Sequence, residues 1–302
     1  MPCSRDATVP RKNPDTSLVA TAAVVVVLAA CGAAGDNGAP ELARRYGLHA
    51  ETRFHWSLPN RLKEISGLAL TPDGRLFAVD DERAIVYEID YERGGLRKAF
   101  ALGEPAVAGD FEGLAHDGER FWLVTSDGQL YGAVEGADGM RVEYELQDSG
   151  FGKRCEIEGL AWFRERLLVL CKDARKGEQL AVYAWDPQAA VEDESGGFEL
   201  PLSDILDRLE RSTLHPSGLA VDKRRGTLLL IAARERALVE LDPAGEFLDA
   251  IELPLVGLHP QAEGIELTEN GTLIIADEGG GGRARLAVYS AAQGRASEEE
   301  EK

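Results

Sequence analysis

Glu112, Glu158 and Glu263 each stand immediately before a glycine that is followed by Leu or Ile, and Ser66 and Ser217 hold the same place before Gly67 and Gly218. Brought round one axis, these five positions make a ring of three carboxylates and two hydroxyls. Three ionised glutamates within a few ångström repel strongly where the dielectric is low, so protons or a cation must neutralise them. An all-oxygen ring suits a hard cation, and Ca2+, with its larger and looser oxygen shell, fits it better than Mg2+. Thirteen residues after the repeated glycine come Asp80, Ser126, Lys172 and Asp277. Asp80 and Asp277 extend the expected metal set, while Ser66, Ser217 and Lys172 are candidate ligand-binding groups. Lys172 is also an internal counter-ion that would compete with a metal for the same carboxylates. The bland reading of the Glu-Gly pairs is a polar lining that keeps a channel mouth hydrated.

The elements that must position these residues follow from the spacing of the repeat. The glycines fall at 67, 113, 159, 218 and 264, so the intervals are 46, 46, 59 and 46 residues. A recurring unit of that length points to repeat architecture. Each unit continues through a turn, as at Thr71-Pro72-Asp73-Gly74 or Asp117-Gly118, into a second apolar run and then a third that alternates apolar with polar residues. Such Asp-Gly turns between short β-rich runs are hairpin signals. A fourth, more polar run closes four of the units, at 96–102, 141–146, 198–202 and 246–253. The fifth lacks one, and Glu51 to Leu58 alternates at period two ahead of the first unit. Pairing that strand with the last unit removes the exposed edge of an open ring. The sequence therefore predicts an all-β fold, a five-bladed β-propeller of four-stranded blades over 51–291, closed by an N-terminal strand. The longer third interval holds an insertion and a short helix from Ser203 to Arg211, with Ser203 as its N-cap.

The chain has 302 residues and a formal net charge of −20, a field that repels phosphate backbones and argues against a nucleic-acid partner. Its N-terminus has the layout of an export signal. Arg5, Arg11 and Lys12 precede an apolar run from Leu18 to Leu28 that is too short for a comfortable membrane span. Leu28-Ala29-Ala30-Cys31 resembles the lipobox of bacterial lipoproteins, in which cleavage leaves the cysteine as an acylated N-terminus. The expected layout is a signal over 1–30, lipidated Cys31, a flexible tether over 31–50, and an acidic, disordered tail over 292–302. The expected location is the bacterial cell envelope, at the periplasmic face or the outer membrane, with membrane contact through the lipid alone. Cys155 and Cys171 flank one hairpin, and an oxidising compartment would let them pair. Two half-buried thiols are the alternative.

The sequence carries neither Gly-x-Ser-x-Gly nor His-Glu-x-x-His, so no catalytic residue is assigned. His215, two residues before Ser217, reads as a structural hydrogen-bonder ahead of a catalytic base. Calcium-dependent propeller lactonases pair channel carboxylates with channel asparagines, and Asn13, Asn37, Asn60 and Asn270 all lie away from channel positions.

The succession Ile65-Ser66-Gly67-Leu68, Phe77-Ala78-Val79-Asp80-Asp81-Glu82, Phe111-Glu112-Gly113-Leu114-Ala115, Ser217-Gly218-Leu219 and Pro260-Gln261-Ala262-Glu263-Gly264-Ile265 resembles the SdiA-regulated family of bacterial propellers over about residues 60–290. The resemblance implies a five-bladed propeller, an extracytoplasmic setting and a calcium site, with no established reaction. The chain departs from the family at His215-Pro216, where an acidic residue is usual, which weakens the fourth blade's share of any metal site. The expected function is a lipid-anchored propeller that binds Ca2+ at its channel and a small ligand or envelope protein on one face. The alternative is a metal-dependent hydrolase of phosphoesterase or lactonase type.

Overall fold

A computed structural model describes residues 39–48, 53–174, 179–253 and 259–290. The expected signal segment, Cys31 and the acidic tail lie outside these residues. No helix among the described residues is long and apolar enough to cross a membrane.

Among the described residues, twenty-two strands form five blades around one axis, antiparallel but for one short pair, as the repeat predicts for a five-bladed propeller. The chain enters with β1 (Arg53–Ser57), then builds blade 1 from β2 (Ile65–Leu70), β3 (Leu76–Asp80), β4 (Arg83–Ile89) and β5 (Leu96–Leu102). Blade 2 uses β6 (Phe111–His116), β7 (Arg120–Thr125), β8 (Gln129–Val134) and, after the two-residue β9 (Arg141–Val142), β10 (Glu145–Asp148). Blade 3 has β11 (Cys155–Phe163), β12 (Arg166–Ala174), β13 (Gln179–Asp186), β14 (Val191–Glu192) and β15 (Phe198–Pro201). Blade 4 is β16 (Gly218–Asp222), β17 (Thr227–Ala232), β18 (Ala237–Leu241) and β19 (Phe247–Glu252). Blade 5 is β20 (Ala262–Leu267), β21 (Leu273–Asp277) and β22 (Arg285–Tyr289), completed by β1 in register Arg53↔Tyr289 to Ser57↔Arg285.

Two blades exceed the expected four strands. The run 141–146 splits: β9 pairs in parallel with β5 of blade 1, and only β10 joins its own blade. In blade 3, β13 is long enough for β14 and β15 to pair with different parts of it. Polar outer strands have no buried face to dictate their partner, so neighbouring blades compete for them.

The apolar core is divided into five clusters, each drawing from two adjacent blades. This is why the inner strands are apolar on both faces, as in β17 (Thr-Leu-Leu-Leu-Ile-Ala), which is buried throughout. The cluster between blades 4 and 5 also takes Leu42, Tyr46 and Leu48 from the N-terminal side. Residues 41–48 were expected within the tether, but Glu41–Arg45 forms helix α1, whose Leu42 and Tyr46 are fully buried. The Tyr46 hydroxyl donates to Asp222 at 2.9 Å, and Arg45 pairs with Glu240. A Gly/Ala/Pro-containing lead-in suggests a spacer by composition, and the apolar face carried by Leu42, Ala43 and Tyr46 overrides it. Helix α2 (Ser203–Leu209) buries Ile205 against the cluster between blades 3 and 4. Its N-cap is Leu202 with no side-chain bond, and Ser203 instead bonds to Asp204 inside the first turn.

Cys155 and Cys171 are joined by a disulfide, with Cα atoms 5.7 Å apart on β11 and β12. It closes a loop with a sequence separation of 16, which chain entropy translates to a stabilisation of about 3 kcal/mol. Reduction, or Cys171→Ser, is expected to lower unfolding free energy in denaturant titrations by about that amount. An unchanged midpoint under reducing conditions would contradict this.

Candidate functional site

The innermost strands β2, β6, β11, β16 and β20 touch one another in a closed ring around the axis. The repeated glycines make that closure possible. A Cβ on Gly67 would lie 2.7 Å from the Leu114 nitrogen, one on Gly113 2.7 Å from the Leu160 nitrogen, and one on Gly218 2.8 Å from the Glu263 carbonyl oxygen. These three glycines therefore press their backbone against the next blade, where a side chain has no room.

Register shifts precede the glycine in four blades, between Ile65 and Gly67, Phe111 and Gly113, Ile157 and Gly159, and Ala262 and Gly264. The skipped residues are Ser66, Glu112, Glu158 and Glu263. A β-bulge leaves one residue out of the ladder and re-aims its side chain. Four of the five residues singled out by the repeat are thus bulged ones, held at one end of the inner strands, and Ser217 is the exception.

The three glutamates share an electrostatic environment. Burial pushes Glu112 up to about 9, and the charges of Glu158, Asp110 and Glu263 add to the rise. Burial likewise takes Glu263 to about 8, helped by Glu158 and Glu278. Glu158 is only 5% exposed and is also raised by burial, but the Lys172 ammonium hydrogen-bonds to it and opposes the rise. Burial alone would lower Lys172; its bond to Glu158 and the charges of Glu158 and Glu156 outweigh that and raise it. The Lys172 ammonium thus serves Glu158 first and opposes the rise of Glu112 and Glu263 only from a distance.

The other expected ligands turn elsewhere. The Ser66 hydroxyl donates to the Phe111 carbonyl at 2.5 Å, and Ser217 donates to the Ala262 carbonyl at 2.7 Å while accepting from the Ala233 amide. Both hydroxyls tie one blade to another element near the axis. Asp277, 1% exposed, faces His259 Nδ1 at 2.8 Å, and His259 Nε2 faces the Tyr289 hydroxyl at 2.6 Å. Asp80 accepts from the Glu82 amide, and burial followed by the charges of Glu82 and Glu64 brings it to about 6. Among the described residues, no three His, Cys, Asp or Glu side chains are disposed to hold a metal ion as they stand.

Beside the axis, a cavity of about 280 Å³ opens between Glu158, Lys172, His215, Ser217, Arg234 and Glu263, with Gln261 at its edge. His215 Nδ1 lies 2.8 Å from Glu235, which also accepts from the His215 amide and the Thr213 hydroxyl. Burial presses Glu235 upward, but those bonds prevail and hold its carboxyl below the usual range. Glu235, Arg234 and Gln261 were not singled out in the sequence. Glu235 sits in the fourth unit, which contributes no residue to the series Asp80, Ser126, Lys172 and Asp277, and that gap was the one available signal.

The family model described as SdiA-regulated matches residues 204–298. Among solved structures, a Myxococcus xanthus glutaminyl cyclase is similar with a TM-score of 0.51 at 15% identity, covering 78% of this chain and 96% of that one. A luciferin-regenerating enzyme gives 0.49 at 9% identity over 76% and 92% of the two chains. A virginiamycin B lyase from Staphylococcus aureus gives 0.42 at 11% identity over 77% and 69%. At such identity the first of these likenesses speaks to the fold alone. The family match covers the fourth and fifth blades, including the Pro-Gln-Ala-Glu-Gly-Ile segment at the channel mouth, and over residues 204–298 this propeller is similar to the SdiA-regulated family.

Proposed function

We propose that this chain is a lipid-anchored envelope propeller that takes a calcium ion at its channel mouth and presents the adjoining cavity to a small ligand or partner. The observation that carries the reading is the charge imbalance at the mouth: Glu112 and Glu263 are half-buried and pushed to about 9 and about 8, and the ammonium that opposes both rises, Lys172, is already engaged by Glu158. The donor chemistry suits a hard cation. Glu112, Glu158 and Glu263 would hold the ion, which supplies the missing positive charge; Asp80 and Asp277 are engaged elsewhere and drop out of the set. Because the carboxylates do not yet converge on one point, binding requires their side chains to swing inward and Glu158 to give up Lys172. The anchor rests on Leu28-Ala29-Ala30-Cys31.

The test is the melting temperature of the full-length processed protein, first stripped with EDTA and then supplied with Ca2+. A saturable rise is expected, since a ligand bound only by the folded state stabilises it by mass action. No shift and no calorimetric heat would sink the metal assignment. Detergent-phase partitioning lost on Cys31→Ser tests the anchor, and unchanged partitioning would refute it. The hydrolase alternative draws on the His215–Glu235 pair beside the cavity. Ca2+-dependent turnover of a phosphoester or lactone panel, lost on Glu158→Gln, would replace the binding reading with that one.

A further inference from the structure

In a chain with 53 acidic and 33 basic residues, most arginines are neutralised by neighbouring carboxylates. Arg75 bridges Asp73 and Glu135, Arg166 bridges Asp186 and Asp193, and Arg225 meets Glu240. One cavity breaks the pattern. At the seam where β1 completes blade 5 beside blade 1, a space of about 550 Å³ is lined by Trp56, Asn60, Arg61, Arg93 and Arg283, with Ser57, Pro59 and the Gly94-Gly95 turn. Among the described residues, three guanidinium groups and no carboxylate line it.

Neither Arg61 nor Arg283 makes an ion pair among the described residues, and both are exposed. Arg93 reaches Asp90 only at 3.7 Å, and the same Asp90 oxygen already takes Arg97 at 2.8 Å. The aromatic wall is fixed in place. Trp56 donates its indole N–H to the Tyr91 carbonyl at 3.0 Å, and a Cβ on Gly94 would fall 2.6 Å from the ring, so only glycine, at φ +74°, lets the loop lie against it. With its one polar atom spent, Trp56 has only ring surface left to offer a ligand.

We propose that this seam cavity is a binding site for a phosphomonoester carried on a ring, an aryl or glycosyl phosphate. A phosphomonoester is close to a dianion at neutral pH and presents three acceptor oxygens. Guanidinium forks match that geometry and bind it bidentately, and unpaired ones give up no existing ion pair to do so. The cavity is far larger than one phosphate, and the Trp56 wall gives the remaining volume a surface for a ring to rest on. The site is independent of the channel-mouth carboxylates. It joins β1 to blade 1, so occupancy should also tighten ring closure.

The test is calorimetry on the full chain in EDTA, with phenyl phosphate, inorganic phosphate and benzyl alcohol as probes. Phenyl phosphate is expected to bind saturably and at least ~10-fold more tightly than inorganic phosphate, with benzyl alcohol silent. Arg61→Gln with Arg283→Gln should weaken phenyl phosphate by ~10-fold or more. Both positions are exposed, so the double variant should keep its fold, checked by an unchanged melting curve without ligand. Glu263→Gln should leave this binding unchanged, which separates the site from the calcium reading. No saturable heat with phenyl phosphate, equal affinity for benzyl alcohol, or full binding by the double variant would each overturn the proposal.

Discussion

Ca2+ is expected to bind the EDTA-stripped protein more tightly as pH rises from about 6 to about 9, its dissociation constant falling by up to about two decades per pH unit below about 8. The sign follows from the mouth. Glu112 and Glu263, raised by burial to about 9 and about 8, hold protons at neutral pH, and a cation needs their carboxylates. Binding must therefore release close to two protons. Calorimetry in two buffers of different ionisation enthalpy counts them, and Glu112→Gln or Glu263→Gln should each remove one and flatten the slope to about one decade per unit. Without the ion, stability moves the other way. Carboxyl groups whose folded pKa lies above the unfolded value contribute stability that is fully present below the ordinary carboxylate range and is lost as pH climbs through 8 to 9. The apoprotein should thus melt lower at pH 9 than at pH 5, and Ca2+ should close the gap. Heat that is independent of pH, with no proton release, would show that these glutamates are not the ligands.

Gly113→Val is expected to prevent folding. The added Cβ alone would lie 2.7 Å from the Leu160 nitrogen and 2.8 Å from its Cβ, both held by the inner strand of blade 3. Backbone cannot step aside as a flexible side chain can, and β-branching adds two more carbons. Overpacking of this kind belongs to the rare class of substitutions costing more than about 4–5 kcal/mol, comparable with the whole margin of many domains. Gly74→Ala is the matched control: nothing lies within 4 Å of its Cβ position, so only the left-handed backbone at φ +79° resists the change. Circular dichroism and denaturant titration of both variants test the contrast, and a native-like Gly113→Val protein would refute axial crowding as the reason for the repeat.

The fold was legible because its signals are local. Asp-Gly turns, period-two alternation and the recurring glycine sit within a few residues of what they specify, so the five units, the closing β1 and helix α2 could all be read from the chain. The channel ring was legible in part. Alignment brought Glu112, Glu158 and Glu263 to equivalent places, but it could not show the bulges that aim them or the bonds that turn Ser66 and Ser217 toward backbone carbonyls. Asp277 matched Asp80 by position, yet its carboxylate is satisfied by His259, which arrives from outside the repeat. Helix α1 was missed for a similar reason: its five residues are too few to announce themselves, and its stability comes from a groove between blades 4 and 5 that sequence does not display.

The pairing of β1 with β22 sets a condition on how the molecule is made. Arg53 lies opposite Tyr289, so the first strand to emerge from any vectorial process finds its partner only among the last residues of the propeller. Until then blade 5 cannot exist and the ring has two open sheet edges. Such long-range pairing carries a loop-closure cost that nothing local repays in advance. The nascent chain is thus a protein whose beginning must wait for its end, and anything that shields β1 in the interval acts on yield without touching the stability of the finished molecule.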